Sequence, residues 1–329
     1  MARLKLLIIG GTRFLGRHLV DAALESRCEV TLLNRGKTNP DLFPNVETVL
    51  GDRDVNLDKL GDRNWDAVID TCGYVPRVVA KSVEFLASRV DYYVFISTIG
   101  VYKEPRKPGL SETSVLAELS EPTEQVTEET YGPLKVLCEK EVIKGFPETD
   151  SGIIVRPGLI VGPWDPTDRF TYWVDRVERG GEVLAPGPQD RPVQFIDVRD
   201  LSEWIIWMVK KRHTGKYNAV GPVDKMSICK FLNICKEVTA SNAEFTWVSE
   251  EFIEKEGIPL PVWVPKTYLG YATADIGKFT ELAKLRDVQK TIADTQLWVK
   301  TQRGEEPIKA GLSADKEAEL LKKWHLKHI

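Results

Sequence analysis

Residues 4–16 read LKLLIIGGTRFLG, and the helix-like stretch RHLVDAALES follows directly. An apolar run that short is strand-like, and it stops at a pair of glycines. Gly10 at the strand exit permits a tight turn. Gly16, at the start of the next helix, lets that helix pack closely on a sheet. The free N–H groups of the first helical turn attract a pyrophosphate. Gly10, Thr12, Arg13, Phe14, Leu15 and Gly16 are therefore expected to cradle a dinucleotide.

The pattern continues outward from this turn. Residues 29–33 (EVTLL), 46–52 (VETVLGD), 65–73 (WDAVIDTCG) and 91–98 (DYYVFIST) read as further strands, with a helix over 78–88 (VVAKSVEFLAS). Near-continuous apolar strands separated by helices imply a parallel sheet covered on both faces. With right-handed crossovers this is the α/β doubly wound Rossmann arrangement, whose ligand cleft lies at the carboxyl ends of the strands. Residues 103–129, rich in acidic residues, Pro, Ser and Thr, read as a long surface loop. Residues 151–163 (SGIIVRPGLIVGP) read as a sixth strand running into a loop, and KYNAV near 216–220 as a last one. Asp200 reads as the N-cap of the helix after it. Beyond residue 223 no strand–helix rhythm is visible. We assign residues 1–165 and 192–222 to the dinucleotide-binding domain, and 166–191 with 223–329 to a smaller substrate-binding lobe.

Composition narrows the function. The chain has 329 residues, 42% hydrophobic and 29% charged, with a formal net charge of −4. That charge argues against bulk attraction to nucleic acid or to an anionic membrane. Five scattered cysteines without a CxxC pair fit a reducing cytoplasm, and four histidines without ligand spacing give no metal site. The apolar run in MARLKLLIIGG is only about six residues long and leads into the glycine turn, where a secretion signal would continue. The expectation is a cytoplasmic protein that neither spans a membrane nor binds nucleic acid.

At the second strand's end stand Asn34 and Arg35, where an NAD enzyme usually carries an acidic residue for the ribose hydroxyls. No carboxylate would repel a 2′-phosphate there. Arg13 adds a guanidinium suited to phosphate. The pair leans the cofactor, NAD(P), towards NADP, although Arg35 stacking on the adenine is also compatible. Asp52 can accept from the adenine amino group or cap its own turn, and Arg53 beside it joins the expected cofactor residues. Tyr131 and Lys135 stand four apart in TYGPLKVLCEKEVI, so on a helix they share a face. An ammonium beside a phenol favours its ionised form, as a proton shuttle near neutral pH requires. Ser97 and Thr98 end the fifth strand, at the carboxyl edge of the sheet.

GGTRFLG, FISTIGVY, YGPLK and RPGLIVGP together resemble the extended short-chain dehydrogenase/reductase family, of the NAD-dependent epimerase/dehydratase type, over roughly residues 1–220. The resemblance implies Tyr131 as acid/base and Thr98, rather than Ser97, as the catalytic hydroxyl. It implies that Lys135 binds the nicotinamide ribose and lowers the tyrosine pKa. Pro157 and Gly158 would sit beside the nicotinamide, Cys72 and Gly73 would border the cofactor, and Tyr74 would face the substrate. Where the family's sugar 4,6-dehydratases carry Asp-Glu after the threonine, this chain has Ile99-Gly100, which disfavours that reaction. Arg169, Tyr172 and Gln194 lie where related sugar-nucleotide enzymes contact substrate, Arg169 as the diphosphate candidate. Family members commonly dimerise through helices here near 78–89 and 131–144, so a homodimer is expected.

The activity implied is an NAD(P)-dependent oxidoreductase or epimerase acting on a carbinol or carbonyl of a small molecule, such as a nucleotide-linked sugar. Two alternatives stay open. GGTR-type loops also resemble atypical members that include chloroplast stem-loop RNA-binding proteins. An isoflavone-reductase-like NADPH reductase is the other, though its lysine-only chemistry sits less well beside an intact YxxxK.

Overall fold

The computed structural model describes residues 3–147 and 149–328. The first half builds β1 (Lys5–Ile9), α1 (Leu15–Glu25), β2 (Glu29–Asn34), β3 (Glu47–Leu50), β4 (Ala67–Asp70), α2 (Pro76–Leu86), β5 (Tyr93–Ile96), α3 (Glu128–Gly145) and β6 (Gly152–Pro157). The second half adds β7 (Leu159–Val161), α4 (Arg169–Glu178), β8 (Glu182–Pro186), β9 (Pro192–Asp197), α5 (Val198–Lys211), β10 (Gly215–Ala219) and β11 (Gly221–Ser227). It ends with α6 (Ile228–Val238), β12 (Glu244–Val248), α7 (Glu250–Glu256), α8 (Gly277–Thr280), α9 (Val288–Thr301) and α10 (Ala314–His328).

The main sheet runs β10-β6-β5-β4-β1-β2-β3, and every neighbouring pair is parallel. Its two apolar faces follow from alternation along each strand. Leu6 and Ile8 of β1 join Val94 and Ile96 of β5 in one core, packed under α1 and α5. Leu7 and Ile9 join Tyr93 and Phe95 in the other, under α2 and α3. Both faces are buried, so the strands carry no polar alternation. The strand order reverses between β1 and β4, which opens the cleft at their carboxyl ends.

Two expectations about the second half are corrected. Residues 151–163 form two strands. β6 ends at Pro157, which has no N–H to extend a ladder, and β7 leaves to pair with β9 in a small sheet completed by β11. Residues beyond 220 do contain strands, β11 and β12, the latter parallel to β8. Their sequences, GPVDKMS and EFTWV, are half exposed and so lack the apolar run that marks a buried strand. A separate core of Phe170, Tyr172, Trp173, Phe195, Phe231 and Trp263 fills this half. No described helix is long and apolar enough to cross a membrane.

A buried polar network crosses the main sheet behind its carboxyl edge. Arg156 of β6 donates from Nε and Nη2 to the Glu139 carboxylate of α3, at 3.0 and 2.7 Å. Ser97 donates to the same carboxylate at 2.5 Å, and Arg156 Nη1 donates to the Tyr102 hydroxyl at 3.1 Å. Tyr102 in turn donates to Asn218 of β10. Both charged side chains are almost wholly buried, so removing one strands the other in low dielectric. Arg156→Met is expected to lose about 3–5 kcal/mol in urea denaturation, while the double replacement Glu139→Leu with Arg156→Met recovers most of it. Equal losses in the single and double variants would contradict this account.

Candidate active site

The glycine turn is shaped by two close approaches. Gly10 has φ 112°, and a Cβ there would lie 2.3 Å from Thr71 Oγ1, which itself donates to Ile9 O. A Cβ at Gly16 would lie 2.7 Å from the Gly11 nitrogen, so α1 packs directly on the turn. No side chain caps α1, and Phe14 before it adopts φ 40°. Gly16 N donates to Arg13 O and His18 N to Phe14 O, and the positive end of the uncapped helix still faces the glycine turn, as a pyrophosphate site requires. At the end of β2, Asn34 Oδ1 accepts from Gly36 N at 2.9 Å, while its buried Nδ2 has no protein partner. An unpaired buried donor at this position fits the adenosine end of a dinucleotide. Thr12 is buried, its carbonyl accepting from Asn39, and Arg13 and Arg35 are exposed. The residues present therefore fit the group.

The carboxyl ends of β4, β5 and β6 bring the other expected residues together. Lys135 is buried, and its Nζ donates to Gly73 O and to Ile96 O, each at 2.6 Å. The ammonium also lies 4.1 Å from the Phe95 ring centre. Two of its three hydrogens are committed to the sheet edge, leaving one donor for a ribose hydroxyl. One helical turn away, Tyr131 lies with its ring centre 6.4 Å from that of Tyr74 and its phenol oxygen hydrogen-bonded by the Thr98 side chain. Thr98 Oγ1 also accepts from Gly100 N at 3.1 Å, which sets the hydroxyl's direction. Gly132 makes this contact possible, since a Cβ there would fall 2.1 Å from Gly100 O. Ser97 is occupied by Glu139, so Thr98 is the hydroxyl left for the cleft.

The acidity of Tyr131 differs from expectation. Burial pushes the phenol up to about 12, Tyr74 beside it adds to the rise, and Thr98 and Arg169 pull the other way. The Lys135 ammonium is turned towards the carbonyls of Gly73 and Ile96, and it is not among the leading influences on the phenol. Burial brings Lys135 itself down to about 8.

Three other expected residues, Arg53, Tyr172 and Gln194, are placed differently from the sequence reading, and Asp52 takes the turn-capping one of its two readings. Arg53 turns inward, with Nη1 and Nη2 2.5 and 2.7 Å from the Asp70 carboxylate and Nε on Ser82. Asp70 also accepts from Tyr93 and from Cys72 N, so Arg53 braces the β4 loop that carries Cys72 and Gly73. Asp52 accepts from Asp54 N and caps its turn. Tyr172 is 1% exposed in the second core, against Trp173, which removes it from any cleft. Gln194 spends its amide on both backbone groups of Ala274, at 3.1 and 2.8 Å. Cap assignment shifts too: Asp197 caps α5, while Asp200 in the first turn pairs with Arg286. Pro157 is buried and Gly158 half-buried beside Ile99 and Val220. Tyr74 is 47% exposed, and Arg169 is exposed at the start of α4. Asp165, which sequence reasoning passed over, is 2% exposed with one carboxylate oxygen unpartnered; its only signal was its place in the loop after β7. Among the described residues no cluster of His, Cys, Asp and Glu could hold a metal.

The lowered Lys135 makes a signed prediction. From its ordinary 10.5 it falls to about 8 in the fold, so between these values the unfolded chain binds more protons and this group's contribution to stability rises with pH. Below about 8 the burial cost is felt in full. The unfolding free energy of the parent minus that of Lys135→Met should increase by up to about 3 kcal/mol from neutral pH to about 10. A flat difference in denaturant titrations across that window would refute the assignment.

Comparison with known proteins agrees with this fold. The model of the NAD-dependent epimerase/dehydratase family matches residues 6–220. A curated relative, the chloroplast stem-loop binding protein of 41 kDa b from Arabidopsis thaliana, is 26% identical over 215 residues, 60% of this chain and 53% of the relative. The chain thus spans about half the length of that relative. Among solved structures, the Bordetella bronchiseptica enzyme WbmH in complex with NAD+ aligns at TM-score 0.69 and 15% identity, covering 92% of this chain and 100% of that one. The UDP-N-acetylglucosamine 4-epimerase of Methanobrevibacter ruminantium M1 aligns at TM-score 0.70 and 19% identity, covering 92% and 100%. At these identities the structural matches establish a shared fold. With its model matching most of the chain, the family follows: this protein belongs to the NAD-dependent epimerase/dehydratase family.

Proposed function

We propose that this protein is an NAD(P)-dependent oxidoreductase or epimerase acting on a carbinol or carbonyl of a small molecule, with a nucleotide-linked sugar as the favoured class. The observation that carries the reading is Tyr131, packed against Tyr74 at the carboxyl edge and favoured as phenolate by the Thr98 side chain, one helical turn from a lysine anchored at the sheet edge. A bound dinucleotide supplies hydride acceptance and return. Tyr131 takes the proton from the substrate hydroxyl and gives it back. Thr98 holds the substrate oxygen in line with the phenol and stabilises the phenolate by donating to it. Lys135 offers its third hydrogen to a ribose hydroxyl. Pro157, Gly158, Cys72 and Gly73 wall the cleft and keep water out.

Arg13 and Arg35, both exposed on either side of the β1–β2 edge, favour NADP over NAD in this reading. All five cysteines are free, which supports a reducing cytoplasm. A homodimer through α2 and α3, which pack side by side, completes the proposal. The similarity to the stem-loop binding protein favours a second reading, an RNA-binding protein on the same fold. The formal net charge of −4 weighs against it.

Tyr131→Phe should lower turnover of a nucleotide sugar about 10²–10⁴-fold, read as product by NMR, with cofactor affinity unchanged. Full turnover in that variant would end the enzymatic reading, and retained stem-loop binding in a gel shift would replace it. Arg35→Ala should weaken NADPH binding about tenfold more than NADH binding, followed by nucleotide fluorescence. Equal effects on the two cofactors would remove the NADP preference.

A further inference from the structure

Tyr74 is a large aromatic side chain left 47% exposed on a rigid mount. The chain that carries it is fixed on both sides. Gly73 O accepts from Lys135 Nζ at 2.6 Å. A Cβ on Gly73 would lie 2.6 Å from the Phe95 ring and 2.8 Å from the Val79 side chain. The chain is thus drawn against β5 and α2 where a methyl group has no room. On the other side, Pro76 opens α2 and restricts Val75 to extended backbone, at φ −121° and ψ 125°.

The Tyr74 ring meets the two residues that carry the enzymatic reading. Its centre lies 6.4 Å from that of Tyr131, with the planes tilted by 39°. Aromatic pairs attract at such separations. The Lys135 ammonium lies 5.5 Å from the Tyr74 ring centre and 4.1 Å from that of Phe95. Phe95 is wholly buried in the core under α2 and α3, so it walls the ammonium from within. Tyr74 is the half-exposed ring of the two and stands on the cleft side. Ring faces attract a cation at these distances. Two rings and the carbonyls of Gly73 and Ile96 therefore enclose the charge.

We propose that Tyr74 is a positioning residue for proton transfer at Tyr131: its ring braces the Tyr131 ring and closes the Lys135 ammonium off from water on the cleft side. The inference rests on Tyr131 being the acid/base. Both contacts are made by the ring, so the Tyr74 hydroxyl is dispensable. Gly73 couples the parts, because the carbonyl that anchors the lysine belongs to the residue directly before Tyr74.

The first test needs no substrate. In protein labelled with carbon-13 at lysine Cε, the Lys135 signal is the one missing from Lys135→Met, and NMR follows its titration. The parent midpoint should lie at about 8. Asp70, Arg53, Cys138 and Glu139 also act on the ammonium, and a change at Tyr74 leaves all four in place. Tyr74→Ala admits water, so the midpoint should rise by about half to one pH unit, while Tyr74→Phe keeps the parent value. The second test follows turnover of UDP-glucose by NMR in protein saturated with dinucleotide. Tyr74→Ala should lower kcat about tenfold, with KM and dinucleotide affinity within about twofold of the parent, and Tyr74→Phe should restore the rate. A Lys135 midpoint that stays or falls in Tyr74→Ala would overturn the inference, as would Tyr74→Phe turning over as slowly as Tyr74→Ala. A loss confined to KM would make Tyr74 a substrate contact and overturn it too. A parent without turnover, or Tyr131→Phe as fast as the parent, fails the enzymatic reading and the inference with it. An unmoved lysine beside a rate that needs Tyr131 fails the inference alone.

Discussion

The site depends on one buried ammonium. Lys135 Nζ bridges Gly73 O after β4 and Ile96 O at the end of β5, and in doing so ties α3 to the carboxyl edge of the sheet. Both acceptors are backbone carbonyls, which no substitution can remove, and the contact fixes the helix in rotation and in height. Tyr131 sits one turn earlier on the same face, so its phenol is carried to the mouth of the cleft. Had the lysine pointed to solvent, the Glu139 carboxylate, held by Arg156 and Ser97 one turn further on, would carry the buried polar attachment of α3 to the sheet. The cost is visible in the lowered pKa of the ammonium itself.

This arrangement changes how the tyrosine is understood. A simple pairing of charges would have Lys135 acidify Tyr131 directly. The geometry instead gives that task to Thr98 and Arg169, both of which stabilise the phenolate against burial. In the proposed reading the lysine positions, the threonine polarises, and the arginine supplies charge. Thr98 is itself directed by the Gly100 N–H, so the turn after β5 sets the direction of that hydroxyl.

The sequence was most legible where backbone conformation or a two-sided core leaves few choices. Gly10 and Gly16 mark approaches that a methyl group would block, and the strands of the main sheet are apolar because both their faces are covered. FISTIGVY offers both a serine and a threonine at the strand end, and it is the Ser97 hydroxyl that Glu139 occupies. Side-chain direction was illegible. Tyr172 and Arg169 stand three residues apart on α4, yet one is sealed in the second core and the other exposed. Helical spacing places both near one face, but which part of that face meets the core depends on residues far away, such as Gly311 against the Tyr172 ring. Arg53 shows the same limit. Its partner Asp70 lies on another strand, and no local pattern announces the pair. The strands β11 and β12 were missed because half-exposed edge strands have no apolar signature.

Buried ion pairs recur behind each functional loop, and their placement argues for a geometric role. Arg53–Asp70 lies under the loop that supplies Gly73 O, and Arg156–Glu139 lies behind both Ser97–Thr98 and Pro157. Arg176–Glu317 anchors α10 to the second core, where Arg176 also reaches the carbonyl of Gly180. Burying such pairs brings little or no net stability compared with apolar side chains of similar volume. What charged partners do provide is directionality, because a guanidinium that forks onto a carboxylate accepts one orientation and an aliphatic contact accepts many. Loops that must hold carbonyls and hydroxyls at fixed distances are where that property matters. The loop 162–168 between β7 and α4 follows the same logic, with Arg303 and Arg17 holding its ends while Asp165 is left with an oxygen that the protein does not pair.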